Sequence, residues 1–225
     1  MIPSLKMLLV GLVLVLPGCA SQVWIADWKG ASPLNIRRNG TASVIVGDRI
    51  YLIGGRNTSG SLTSTEYAQI QKDGTLSRWL LGSNLQEERS FMDAVVHGDS
   101  IYVVGGANGP SDVNLLRTVE RARILPDGSL ASWQKEKNEM VVARRCNKLI
   151  ATDKALYAFG GYGGVLLDSV ESAEWQTDGS LGEWRLEPQS LTTPRYINTV
   201  KKVGDEFFVI GGHQDNGNSM SEVEW

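Results

Sequence analysis

The chain reads as an all-β protein assembled from one repeated unit of about 50 residues, and three features in a common phase carry that reading. Gly-Gly pairs recur at Gly54-Gly55, Gly105-Gly106, Gly160-Gly161 and Gly211-Gly212, so the first glycines stand 51, 55 and 51 residues apart. An arginine precedes each pair by sixteen residues, at Arg38, Arg89, Arg144 and Arg195. Three units then carry Asp-Gly-x-Leu-x-x-Trp, ending at Trp79, Trp133 and Trp184.

Each element of the unit has its own signal. A first strand follows the arginine. A second is the β-branched and aromatic run closed by Gly-Gly: Ile50 to Ile53, Ile101 to Val104, Leu156 to Phe159 and Phe207 to Ile210. A third leads into Asp-Gly, a strong hairpin signal in which both turn residues are expected to tolerate positive φ. A fourth is expected to end at the tryptophan. Four antiparallel strands repeated at this period make a blade, and successive blades make a β-propeller.

The in-phase Gly-Gly after an aromatic strand, the downstream tryptophan and the arginine before the next first strand resemble the kelch repeat over residues 24–225. Here the unit is a variant closed by Asp-Gly-x-Leu-x-x-Trp. The resemblance implies a kelch-type β-propeller of four-stranded antiparallel blades, with four repeats visible and the last incomplete.

The ends are read separately. Residues 1–18 form a lipoprotein signal peptide, with Lys6 as its positive charge and the apolar run Met7 to Leu16. Ten residues span about 15 Å as a helix, half a bilayer core, which argues against a stable transmembrane helix. Leu16-Pro17-Gly18-Cys19 resembles the lipobox of bacterial lipoproteins, with Pro17 as a departure, so Cys19 is the expected acylation site and residues 19–23 the tether. The absence of Asp at Ala20 is similar to lipoproteins sent to the outer membrane, in a periplasmic or surface-facing place. Cys146 is then the only other thiol, no internal disulfide is expected, and its apolar-leaning strand segment favours a small buried residue. Trp28 precedes Arg38 by ten residues as Trp79 precedes Arg89, so Val23 to Trp28 reads as a fourth strand. Either it completes the last blade and closes a four-blade ring, or the four units belong to a larger ring. The second reading is preferred because Trp225 falls within a third strand, and an open array would leave edges prone to oligomerisation.

Composition narrows the partners. A net charge of -3 lacks the basic surface nucleic acid requires, so none is expected. The connections after Gly-Gly are long and polar while the hairpin turns are short, which points to one binding face. Its candidate contacts are Arg56, Asn57, Asn108, Asp112 and Asn114 in the first two units, and Tyr162, His213, Gln214, Asp215 and Asn216 in the last two. These suit a glycan or a protein. The phased Arg38, Arg89, Arg144 and Arg195 recur with Glu66, Glu120, Glu171 and Glu224, and read as structural, as do Gly54 to Gly212 in the pairs and Trp79, Trp133 and Trp184. No cofactor and no metal are read, since His97 and His213 sit at different phases and no zinc spacing occurs. A sugar mutarotase or epimerase activity, needing only a carboxylate and an arginine, stands as the enzymatic alternative, and a non-functional fragment of a larger propeller as a third.

Overall fold

A computed structural model describes residues 30–225. The signal segment 1–18, Cys19 with its tether, and Val23 to Trp28 lie outside the described residues. Residues Ser32–Trp225 form one compact unit with four successive antiparallel sheets in a propeller arrangement. Blade 1 holds β1 (Ala42–Val46), β2 (Arg49–Ile53), β3 (Thr65–Gln69) and β4 (Leu80–Leu81). Blade 2 holds β5 (Asp93–His97), β6 (Ser100–Val104), β7 (Val119–Arg123) and β8 (Gln134–Lys135). In blade 3 the strands are β9 (Lys148–Ala151), β10 (Ala155–Phe159), β11 (Val170–Glu174) and β12 (Arg185–Leu186). Blade 4 has three strands among the described residues: β13 (Thr199–Val203), β14 (Glu206–Ile210) and β15 (Val223–Glu224).

The first strands β1, β5, β9 and β13 pack against one another in that order. Each inner blade is therefore covered on both faces, which explains why its second strand is a continuous apolar run: all five residues of Ser100–Val104 are buried. The core is divided into the spaces between blades. Tyr51, Ile53, Ile101, Val103 and Trp133 fill the first space, and Tyr102, Val104, Leu156, Ala158 and Trp184 the second.

The glycine pairs and arginines join these layers. Beside the first glycine, a Cβ on Gly54, Gly105 or Gly160 would lie 2.6 Å from the carbonyl oxygen of the next blade's Arg89, Arg144 or Arg195. All these glycines have positive φ, so both the space and the backbone exclude a side chain. Each second glycine donates its N–H to the same arginine carbonyl, at 2.9, 2.8 and 2.9 Å. The guanidinium turns back into its own blade: Arg38 Nη1 donates to the carbonyls of Gly54 and Ser64 at 2.8 Å each, and Nη2 to Glu66 at 2.8 Å. Arg89 repeats this with Gly105, Thr118 and Glu120, Arg144 with Gly160, Ser169 and Glu171, and Arg195 with Gly211, Glu222 and Glu224.

Two local expectations are corrected. The Asp-Gly turn is a three-residue loop in which only the glycine has positive φ: Gln71 N–H donates to Thr75 O, and Gly74 N–H to Gln71 O. Asp73 keeps a negative φ because its carboxylate accepts Thr75 N–H and Oγ1–H at 3.0 and 2.7 Å, which closes the turn through the side chain. The fourth strand follows the tryptophan instead of ending at it. The reason is that the segment from the leucine to the tryptophan leaves the ladder to pack Leu130 and Trp133, or Leu181 and Trp184, into the inter-blade core.

Candidate functional site

The long connections and the approach to each first strand meet on one face, and a repeated backbone lock organises it. The residue after each phased arginine pairs with the residue after each Gly-Gly: Asn39 with Arg56, Ser90 with Ala107, Arg145 with Tyr162, and Tyr196 with His213. Both backbone hydrogen bonds form in every pair, from 2.8 to 3.4 Å. The lock is the same in all four blades while the side chains it presents are not. That is the arrangement of a rigid frame carrying a variable surface.

One residue further on, the backbone is left-handed in every blade, at Gly40, Phe91, Cys146 and Ile197, with φ of 58, 55, 55 and 54°. Only the first is glycine, so the others cost about 1–2 kcal/mol each in local conformation. What holds them is a chain of hydrogen bonds from blade to blade. Phe91 N–H donates to Gly40 O at 2.7 Å, Cys146 N–H to Phe91 O at 2.7 Å, and Ile197 N–H to Cys146 O at 3.3 Å. In blade 1 glycine is required because the Phe91 ring lies 2.9 Å from where its Cβ would be.

Asp112 knots three blades together here. It follows the short 3-10 turn's Ser111, and both have positive φ, 56 and 55°. Its carboxylate is 3% exposed and accepts hydrogen bonds from Arg56 and Ser61 of blade 1 and, at 2.6 Å, from Ser90 of blade 2. Its carbonyl accepts Arg145 Nη1 of blade 3 at 3.1 Å. The Arg145 guanidinium also lies over the rings of Phe91 and Tyr162, 5.9 and 5.2 Å from their centroids. Beside this knot opens a cavity of about 620 Å³ lined by Arg37, Arg56, Asn57 and Phe91 among others. Guanidinium groups held over aromatic faces and beside a cavity favour an anionic or planar group on the partner.

Of the sequence candidates, Arg56, Asp112, Tyr162 and His213 occur in this frame, His213 with its ring 5.8 Å from that of Tyr196. Asn57 and Asn216 serve their own turns, their side-chain oxygens accepting the N–H of Ser59 and Asn218 at 2.8 and 2.9 Å. Asn108 pairs with Asn114 in a small hairpin, and its amide donates to Glu88 O at 3.3 Å. Gln214 opens the turn that carries exposed Asp215. Sequence reasoning missed Arg145, Phe91, Ser90 and Tyr196. The available signal was their position one or two residues after an invariant repeat arginine, where the four units differ most.

Cys146 is corrected in one respect: it is half-buried and stands before β9, in the left-handed turn, instead of inside a strand. Burial pushes its thiol upward against the opposing pull of Arg145 and Lys148, so the protonated, weakly nucleophilic form prevails at neutral pH. His97 ends β5 at the tight-turn end of the blade and stacks on Trp175 at 3.9 Å, away from the end that bears His213. Among the described residues no group of three or more His, Cys, Asp or Glu could hold a metal ion, and no helix is long and apolar enough to cross a membrane.

A family model described as Kelch motif matches residues 37–67. The chain is similar to Beta-scruin of Limulus polyphemus, 24% identical over 190 residues, covering 82% of this chain and 20% of that protein. It is similar to Kelch-like protein 15 of Danio rerio, 24% identical over 211 residues, covering 88% and 34% respectively. Kelch-like protein 33 of Homo sapiens is 30% identical over 131 residues, 58% of this chain and 23% of that protein. The matched stretches thus span between 20% and 34% of the length of these relatives.

Proposed function

We propose that the chain, whose propeller blades are similar to kelch repeats, is a binding module, tethered to the outer membrane by acylated Cys19, which engages a protein surface or glycan through its loop-bearing face. The observation that carries this is the set of four identical backbone locks bearing unlike side chains, with Arg145 held over the rings of Phe91 and Tyr162. A frame already rigid in the free protein loses little conformational entropy on binding. The ligand feature it suits is an anionic group, a carboxylate of an acidic peptide or of a uronic or sialic acid, because a guanidinium pairs with it through two hydrogen bonds. The sugar mutarotase or epimerase alternative would draw on Asp112 as its base, but three donors already hold that carboxylate.

The test is a screen of acidic glycans and acidic peptides against the full chain and against Arg145→Ser with Tyr162→Ala. Ligands of the native chain are expected to lose tenfold or more in affinity while the variant still unfolds cooperatively at a lowered melting temperature; retained affinity would exclude this face. The tether is tested apart, since Cys19→Ser is expected to abolish incorporation of labelled palmitate, and unchanged labelling removes it.

A further inference from the structure

The long connection of blade 2 reaches across to its neighbours. It rises from a short hairpin in which Ala107 pairs with Leu115 and Asn108 with Asn114, and beyond that pair it makes the 3-10 turn Pro110–Asp112. Of Pro110, Ser111, Asp112, Val113 and Asn114, only Asp112 is buried, so one residue holds this segment down. The hold is polar throughout. The carboxylate accepts Ser90 Oγ–H at 2.6 Å and Ser61 Oγ–H at 3.2 Å and is paired with Arg56, while the Asp112 carbonyl accepts Arg145 Nη1 at 3.1 Å. Val113 is 68% exposed and supplies no apolar anchor. Against the hold stands backbone strain: Ser111 and Asp112 are both left-handed, with φ of 56 and 55°, a conformation disfavoured for residues that carry a Cβ. No other long connection among the described residues places a carboxylate on an arginine of another blade.

We infer, resting on the reading of the loop-bearing face as an anion-binding surface, that residues 109–113 form a strap whose Asp112 occupies that site in the free protein and competes with the ligand's own anion for Arg56 and Arg145. One residue engages both guanidiniums. Its carboxylate is on Arg56, which lines the cavity of about 620 Å³, and its carbonyl is on Arg145, which lies over the rings of Phe91 and Tyr162. A carboxylate or sulfate arriving from outside makes the same charge-assisted bonds, and each bond it makes withdraws a donor from Asp112. With both withdrawn, only Ser61 and Ser90 oppose the strain at Ser111 and Asp112, and the strap lifts about its Asn108–Asn114 base. A site closed in this way binds with an affinity reduced by the fraction of molecules that are open, so whatever weakens the closed form raises affinity by the same factor. The strap thus sets a threshold: the face responds to anions that displace an aspartate and disregards weaker ones.

The probe is sodium sulfate, which stays ionised at neutral pH and offers a guanidinium two oxygens, titrated into the full chain against sodium chloride at matched ionic strength. Binding is read from the Nε–Hε NMR signals of Arg56 and Arg145. Strap opening is read from hydrogen exchange at the Asp112 N–H, which donates to Gly109 O at 3.2 Å in the closed form. Sulfate is expected to shift both signals and to speed that exchange at least tenfold; binding that slows the exchange or leaves it unchanged overturns the inference. Asp112→Asn is expected to bind sulfate at least tenfold more tightly. Ser90→Ala, which removes one bond of the strap and leaves every charge in place, is expected to bind it at least threefold more tightly. Weaker binding by either variant overturns the inference, because Asp112 would then be positioning the arginines for the ligand. Tighter binding by Asp112→Asn alone overturns it as well, being the effect of removing one negative charge, and so does the absence of sulfate binding in all three proteins. If Asp112→Asn fails to fold, the exchange measurement and Ser90→Ala decide. An acidic glycan or peptide that depends on Arg145 and Tyr162 but is indifferent to Ser90→Ala and Asp112→Asn would leave the binding face standing and remove the strap.

Discussion

The repeated glycine and the repeated arginine act through different physics, and single substitutions separate them. Gly47 and Gly105 share a positive φ, but a Cβ at Gly47 meets nothing within 4 Å whereas at Gly105 it meets the Arg144 carbonyl at 2.6 Å. Gly47→Ala is therefore expected to cost about 1–2 kcal/mol, the backbone term alone. Gly105→Ala adds a clash with another blade's backbone and is expected to exceed about 3 kcal/mol, read by urea unfolding; equal costs would mean that blades do not approach at this point. Arg144 and Glu171 have fully buried side chains, and Arg144→Met leaves the carboxylate without its cation, a loss of about 3–5 kcal/mol. The blade 1 counterpart has a pH signature. Burial alone would raise Glu66, but the Asn35 and Ile36 N–H groups, the Asn35 amide and Arg38 hold it below the ordinary carboxylate value. As pH falls the unfolded chain takes up the proton first, so this stabilisation is complete above the ordinary carboxylate range and is lost as pH drops through the folded value. Glu66→Gln should lower the melting temperature at pH 7 and flatten its decline below about pH 5; an unchanged acid slope would assign that decline to other carboxylates.

At the scale of elements, what the sequence made legible was whatever each blade repeats. Gly54, Arg38 and Trp133 recur because every blade needs the same close approach, the same hub and the same filler, so periodicity alone exposes them. The frame of the loop-bearing face is legible only as departure from that period. Arg145 stands beside Arg144 and is hidden by it, and Phe91, Cys146 and Ile197 adopt a left-handed conformation their side chains disfavour, which no local propensity announces. The Asp112 knot joins residues 56, 61, 90, 112 and 145, whose proximity depends on how blades are laid side by side. The same layering predicts that equivalent tryptophans are unequal. Trp133 is 1% exposed between blades 1 and 2 and donates its indole N–H to Ser83 O at 3.1 Å, whereas Trp79 is half-buried with no blade described before it. Trp133→Ala is expected to cost about 3–5 kcal/mol, and Trp79→Ala less than half as much. Similar losses in chemical denaturation would show that the Trp79 side chain is covered in solution.

For the whole molecule, stability in such an array is a sum of blade and interface contributions, and the interfaces are unlike. Blade 2 is covered on both faces, and Ile101, Val103 and Val104 are fully buried. Among the described residues blade 4 has three strands, lines a cavity at its approach to blade 3, and exposes Val203, Ile210 and Trp225. With fewer buried apolar groups to lose, blade 4 should open at lower free energy than the rest and without them. Hydrogen exchange is expected to be faster by at least tenfold at Phe208 and Ile210 in β14 than at Tyr102 and Val104 in β6, positions equivalent in the repeat. The hydrogen bonds from Met220 N–H to Gly212 O and from His213 N–H to Tyr196 O belong to this same blade, so the Tyr196–His213 lock should exchange early while the Arg145–Tyr162 lock stays protected. Uniform exchange across β6 and β14 would instead mean that the four blades unfold as one cooperative unit, with their unequal interfaces averaged out.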